Sequence, residues 1–426
     1  MDKTTLSVLL ASLFVSQGAY SSNKITETTS DDYVVAGDYL QIAIPATGLL
    51  AAWIYDDLDG AKQLTYSLAT TVAIVHATKF SVGRLRPNAS NTASFPSGHT
   101  AAAFSGAAFL QTRYGAAWGI PAYLSATYVG ASRVYGNKHF ADDVVAGAGI
   151  AFLTNQYFVS EYTPEGVELG VVPLDDGMMV NVNVSNEALD YETNRERKSG
   201  SLRKERRHSF TLDIGFYTYD TLADSGAYQS LKNTTPVDEL QPLASALYQY
   251  RFDKQNALEI SFTPSEIRSV GTVATDFSLG DQNYEENEEL FIALRQWNAG
   301  ASYIRNYQPT DELTLSAGLG ISAYLIESET DLVNGGKYNG QSSYPILPSI
   351  TGKLNYAFND DWSINARVDY QALSGDRSLN AEGGFAYMIN PDWNVGIKYV
   401  LSDNEWEDSN VEYRSESVLF SVTNNF

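Results

Sequence analysis

From residue 208 to the C-terminus the chain alternates apolar and polar residues with a period of two, strand after strand. Phe210, Leu212, Ile214 and Phe216 alternate with Ser209, Thr211, Asp213 and Gly215. Trp362, Ile364, Ala366, Val368 and Tyr370 repeat the pattern, as do Trp393, Val395, Ile397 and Tyr399. One apolar and one polar face describe any half-buried antiparallel sheet. Here the runs are about ten residues long with aromatics near their ends, as strands tilted across a bilayer require. The candidate strands are 208–219, 243–254, 256–279, 288–306, 312–326, 346–358, 361–372, 378–389, 392–401 and 411–426. Links near 255, 307–311, 359–360 and 390–391 are short, whereas 220–242, 280–287, 327–345 and 402–410 are mostly long, acidic or glycine-rich. The expectation is an outer-membrane antiparallel β-barrel of ten strands with both termini in the periplasm. Pro264 breaks the third segment and shifts its phase, which leaves eight or twelve strands as alternatives, and a soluble sandwich is the other way to bury such faces.

The final strand supports the barrel. Val418, Phe420, Val422 and the terminal Phe426 share one parity, broken only by Asn424. This resembles the closing strand of bacterial outer-membrane proteins, whose terminal Phe is read by the barrel-assembly machinery. A closed barrel has no open edge and satisfies its backbone hydrogen bonds within lipid.

The first half follows a different rule. Residues 34–158 are alanine-rich and read as helices over 34–55, 62–80, 98–114, 118–131 and 140–158. Their Thr, Ser, Gly and Ala suit packing on one another, and 40–54 is the most membrane-like stretch but short for a span. Lys3 followed by the apolar run Leu6–Val15 and small residues near 18–21 reads as a signal peptide over 1–21. The organisation is therefore a signal peptide at 1–21, a helical domain at 31–158, a connector at 159–207 and the barrel at 208–426. The connector ends in seven bases: Arg195, Arg197, Lys198, Arg203, Lys204, Arg206 and Arg207. Such a patch would be drawn to an anionic bilayer, although a solvated charge run reads the same way. The formal charge of −23 falls mainly on residues 170–426, with 38 acids against 19 bases. Nucleic acid is excluded as a partner by that charge. Cysteine is absent, so no disulfide or thiol chemistry is available.

Chemistry concentrates in 65 residues of the helical half. Lys79, Arg86 and Arg133 supply the cations that a phosphoryl group with several anionic oxygens rewards. Lys79 and Arg86 lie two helical turns apart, but Pro87 places Arg86 at a helix end. Ser97 can offer a hydroxyl and Gly98 a close backbone approach, in front of a helix whose first amides favour an anion. His99 can protonate a departing alkoxide. His139 and Asp143 are four apart, so the carboxylate can orient the imidazole and leave its other nitrogen free to attack phosphorus. Any one of these has a bland reading. His76 and His208 are taken as structural or surface histidines, Arg84 as a solvated surface cation, and Asp142 as a solvent-side or capping acid.

Together, Lys79-x6-Arg86-Pro87, Pro96-Ser97-Gly98-His99 and Ser132-Arg133-x5-His139-x3-Asp143 resemble the three motifs of the type 2 phosphatidic acid phosphatase (PAP2) superfamily. That superfamily also holds bacterial acid phosphatases and vanadium haloperoxidases. The resemblance covers roughly 34–158 and matches in residue type, spacing and order. It implies a helical bundle with a phosphohistidine at His139, proton donation by His99 and orientation by Asp143. Lys79, Arg86, Ser97, Gly98 and Arg133 would hold the phosphoryl oxygens, with no metal or cofactor. The expected activity is hydrolysis of a phosphate monoester or terminal diphosphate, on a lipid or a small soluble ester. Lipid A, phosphatidic acid, phosphatidylglycerol phosphate and isoprenyl diphosphates all suit the chemistry. The alternatives are a broad periplasmic acid phosphatase, a vanadium-dependent haloperoxidase, and a pore or receptor carrying a non-catalytic helical domain. The expected setting is the outer membrane, with its lipids around the barrel and the phosphatase domain in the periplasm.

Overall fold

The computed structural model of the protein describes residues 23–162, 167–174, 177–184, 206–222, 228–238 and 240–426. The expected signal peptide and the connector bases Arg195 to Lys204 lie outside the described residues. Five helices come first: α1 (Asp32–Ile54), α2 (Leu58–Val82), α3 (Gly98–Tyr114), α4 (Ala116–Tyr135) and α5 (Ala141–Phe158). Asp31, Asp57 and Ser97 cap the first three by accepting from Val34 N, Gly60 N and Thr100 N, satisfying amides that have no partner within their helix. Helix α2 starts four residues before its expected position because Asp57 caps it, and it stops at Gly83, whose φ of 64° no β-carbon favours.

Ten long strands follow: β1 (His208–Asp220), β2 (Pro242–Arg251), β3 (Asn256–Val273), β4 (Glu289–Tyr307), β5 (Leu313–Leu332), β6 (Ile346–Ala357), β7 (Trp362–Leu373), β8 (Asp376–Asn390), β9 (Trp393–Trp406) and β10 (Val411–Asn425). Each pairs antiparallel with its sequence neighbour, and β10 pairs with β1, so the sheet closes into a ten-stranded barrel. Pro264 does not split β3. It lies just past Phe262, the last β3 residue paired with β2, so its missing N–H removes no bond from that ladder. The outer face carries Leu319, Ile321, Ile350, Val368, Phe385, Ile397 and Phe420 in the open, while the lumen holds ion pairs such as Lys398–Asp213 and Arg367–Glu259. An apolar exterior around a polar, edge-free interior is the architecture of an outer-membrane barrel. At the long-loop end the lumen is filled by a buried cluster including Tyr228, Tyr284, Tyr324, Trp406 and Tyr413.

The helical domain does not stand clear below the barrel. Helix α5 lies along the outer wall of β1–β3, where Leu212 and Ala244 pack with Val145, Ala146 and Ile150 in one buried cluster and the half-buried Ala246 packs against it. Phe152 meets Phe210 and the terminal Phe426, with ring centroids 4.7 and 5.7 Å away. At the other end of α5, the Phe140 ring lies 4.7 Å from the Arg268 guanidinium of β3. Nearby, Arg268 Nη1 donates to Pro87 O at 2.8 Å.

Candidate active site

The motif residues converge where α2 ends and α3 and α5 begin. Past Gly83 the chain runs through a loop that places Arg86 beyond the helix, so Lys79 and Arg86 share a site without sharing a helix. Lys79 Nζ donates to the carbonyls of Ala93 and Ser94 at 2.7 and 3.1 Å, tying that loop to α2. Ser97 N donates to Asp143 O at 2.8 Å, which fixes the start of α3 against the start of α5. The contact is tight: a β-carbon on Gly147 would lie 2.5 Å from Ser97 O. Gly98 and His99 then form the first turn of α3, where backbone amides have no intrahelical acceptor and favour an anion.

His139 lies just ahead of α5 and is 2 % exposed. Its Nδ1 is 3.3 Å from Asp143 Oδ2. An ionised carboxylate fixes the tautomer with the proton on Nδ1, leaving Nε2 with its lone pair and no hydrogen-bond partner among the described residues. Asp143 is fully buried and richly held. Ser94 Oγ donates to it at 2.5 Å, Phe140 N at 2.9 Å and Arg84 Nη1 at 2.9 Å. Burial alone would raise its pKa; Arg84 first, then His139 and Ser94, overturn that and keep it ionised. For His139 burial wins over Asp143 and lowers the pKa, with Lys79 and Arg86 adding to the effect, so the imidazole is neutral near neutral pH.

Arg133 is 1 % exposed at the end of α4. Its Nη2 donates to Val34 O at 2.6 Å and its Nη1 pairs with Asp38 of α1. Asp38 also lies 3.2 Å from His99 Nε2 and 3.7 Å from Lys138 Nζ, so one carboxylate gathers three of the site's basic groups. Burial, then Arg133, pushes the His99 pKa down to about 4 against the pull of Asp38. Burial takes Lys79 down to about 8, with Asp143 opposing it.

Two sequence readings need correction. Arg84 is not a solvated cation: it is 3 % exposed and binds Asp142 and Asp143 at 2.7 and 2.9 Å, with its planar fork also 3.8 Å from the Phe140 ring centroid. Asp142 is not solvent-side either; it is 2 % exposed and accepts from Arg84 and from Asp143 N. Two adjacent buried carboxylates share one guanidinium, and burial raises Asp142 while Asp143 stays charged. The barrel completes this network through the β1–β2 loop. Asp238 Oδ1 accepts from Leu85 N at 2.8 Å and Oδ2 lies 4.0 Å from Arg84 Nε. Ser94, Asp38 and Asp238 carry no spacing signal; the fold alone brings them in. The two remaining histidines stay apart from the site: His76 is exposed on α2, and His208 stacks on Phe426 at an interplanar angle of 14°.

Residues 60–162 match the PAP2 superfamily. Over 155 residues the chain is 30 % identical to a lipid A 1-phosphatase of Porphyromonas gingivalis, an alignment covering 34 % of this chain and 35 % of that protein. The chain thus spans about a third of the length of the curated relative it matches. Among solved structures, LpxE of Aquifex aeolicus is similar over 31 % of this chain and 88 % of its own, with 23 % identity and a TM-score of 0.27. The outer membrane protease OmpT of Escherichia coli aligns with 52 % of this chain and 94 % of its own, at 11 % identity and a TM-score of 0.31.

Proposed function

We infer that this chain, with a PAP2 superfamily domain at residues 60–162 beside an outer-membrane-type barrel, is a phosphatase acting on a phosphorylated lipid. The observation that carries the reading is the His139–Asp143 pair: a neutral imidazole with Nε2 free, set among Lys79, Arg86 and Arg133. In the proposed reaction His139 Nε2 attacks the phosphorus of a monoester or terminal diphosphate. The bond to the leaving oxygen breaks, and His99 supplies that oxygen with a proton. Lys79, Arg86, Arg133, Ser97 and the amides of Gly98 and His99 stabilise the charge that spreads over the equatorial oxygens. Asp143 keeps the His139 tautomer and balances the cation that forms. Neutral His99 then takes a proton from water, whose oxygen attacks the phosphohistidine, and inorganic phosphate leaves.

The exposed apolar faces of the domain favour a lipid over a small soluble ester, and the phosphate of lipid A is the first candidate through the Porphyromonas gingivalis relative. The barrel holds the enzyme in the outer membrane, and its terminal strand ending in Phe426 is the segment the barrel-assembly machinery would read. A pore reading is disfavoured by the aromatic cluster that fills the lumen at the long-loop end. Phosphate release from a panel of lipid and soluble phosphates tests the assignment. Wild type should be active, with lipid phosphates preferred over p-nitrophenyl phosphate, and His139→Ala should be inactive. Equal release by both proteins on every substrate would remove His139 from the chemistry.

A further inference from the structure

We propose that the helical domain lies in the same bilayer as the barrel, flat against its wall, and that the catalytic cluster opens toward the leaflet on the long-loop side. The enzyme would then act on phosphate groups of outer-leaflet lipids, not on lipids met from the periplasm.

Four observations meet in this placement. Residues 39–54 of α1, 63–78 of α2, 100–112 of α3, 116–132 of α4 and 144–158 of α5 contain no Asp, Glu, Lys or Arg. Charges in the domain sit only at the two ends of the bundle, separated by helix of roughly 25 Å at 1.5 Å per residue, the height of a barrel's apolar belt. The side away from the barrel leaves Ile42, Leu49, Leu50, Trp53 and Leu124 exposed, an apolar face that lipid chains would cover at no desolvation cost. Second, α5 runs the height of the wall. Its Phe152 and Tyr157 meet Phe426 and Trp393 beside the short turns, and Phe140 meets Arg268 near the long loops.

Third, the outer face of the barrel marks where the belt ends. Going up the strands it is apolar until the row Glu266–Arg295–Glu327 and, on β9 and β10, Glu416, which accepts from Tyr399 OH, and the pair Asp403–Arg414 just above it. Arg268, which touches Phe140 next to His139, lies two residues beyond Glu266 on the long-loop side. Fourth, the other end of the bundle carries an aromatic cluster of Tyr55, Tyr114, Trp118 and Tyr162 next to the Asp57–Arg113 pair, as an interface on the short-turn side would. A cleft of about 760 Å³ between bundle and wall, lined by Phe104, Val134, Val144, Phe262 and Trp297, is apolar enough to admit acyl chains.

The headgroup assignment rests on the phosphatase reading above; the placement does not. It also implies that the substrate reaches the enzyme only after an export reaction has delivered the finished lipid to the outer leaflet.

The chain has no cysteine, so single cysteines report position cleanly. Thr92→Cys and Asp32→Cys mark the catalytic end, Lys62→Cys and Asp56→Cys the opposite end. Asp408→Cys in a long-loop-side turn and Asp360→Cys in a short turn calibrate the two faces of the barrel. Each variant is first shown to migrate as a folded barrel on unboiled gels. Intact cells and permeabilised cells are then treated with a membrane-impermeant maleimide. The placement predicts labelling of Thr92→Cys and Asp32→Cys on intact cells, like Asp408→Cys. Lys62→Cys and Asp56→Cys should react only after permeabilisation, like Asp360→Cys. Protection of Thr92→Cys and Asp32→Cys until permeabilisation overturns the proposal. Because labelling needs no turnover, this failure is distinct from a failure to release phosphate.

Discussion

At the scale of single residues, the proposed chemistry asks different things of two histidines that burial holds neutral near pH 7. Burial keeps His139 neutral and Asp143 orients it; removing the carboxylate's charge while keeping its shape should leave the imidazole in the wrong tautomer. Asp143→Asn is expected to lower kcat by about 10³–10⁴-fold with little change in KM. A loss confined to KM would instead make Asp143 a substrate-binding group. His99 must be protonated to act as the acid, and burial holds its pKa at about 4. Its charged fraction therefore rises as pH falls, and burial lowers the His139 pKa as well, which opposes protonation of the nucleophile. kcat/KM should rise on acidification from pH 7 toward about pH 5. Asp38 favours the imidazolium, so Asp38→Asn should move this limb to lower pH; a shift to higher pH would contradict the assigned role. Lys79, with its pKa near 8, should lose phosphate affinity on the alkaline side, seen as a rising KM.

At the scale of elements, the start of α5 is held from three directions: by the Ser97 turn, by Arg84 from the loop after α2, and through Arg84 by Asp238 of the barrel. Asp238→Ala removes the acceptor for Leu85 N and one partner of a buried cation, a loss of about 1–3 kcal/mol in stability. It is expected to lower kcat by about tenfold through a looser Asp143. Asp238→Asn, which keeps the acceptor, should recover most of both; wild-type kcat in the alanine variant would sever the barrel from the site. These links explain what the sequence could and could not carry. Motif spacing singled out Lys79, Arg86, Ser97, Gly98, His99, Arg133, His139 and Asp143, which the fold gathers at one end of the bundle, because helix geometry and cap chemistry are local. Alternation likewise located the ten strands, but β5 and β9 run several residues past their expected ends. Glu327, Glu329, Asp403 and Glu405 end the apolar pattern without ending the ladder. Arg84 and Asp142 read as solvated in the sequence because nothing local distinguishes a buried ion pair from a solvated one; the partners of Arg84 come from α5 and from a loop more than 90 residues further on. Asp38 reaches His99 and Arg133 only through the packing of α1 on α3 and α4.

At the scale of the molecule, the barrel serves as a wall and an anchor for the helical domain. Its lumen carries paired charges and is filled at the long-loop end, so the purified protein in a planar bilayer should show no stable conductance steps. Stepwise conductance would revive a transport role. Its outer face instead receives α5, and the terminal Phe426 joins both functions by closing the sheet against His208 while packing on Phe152. The proposed phosphoryl transfer depends on one bond, between His139 Nε2 and phosphorus. Brief reaction with ³²P-labelled lipid phosphate, followed by alkaline denaturation, should trap acid-labile, alkali-stable label on the wild-type protein and none on His139→Ala. Label of equal amount on His139→Ala, or acid-stable label on the wild type, would contradict a phosphohistidine at this site.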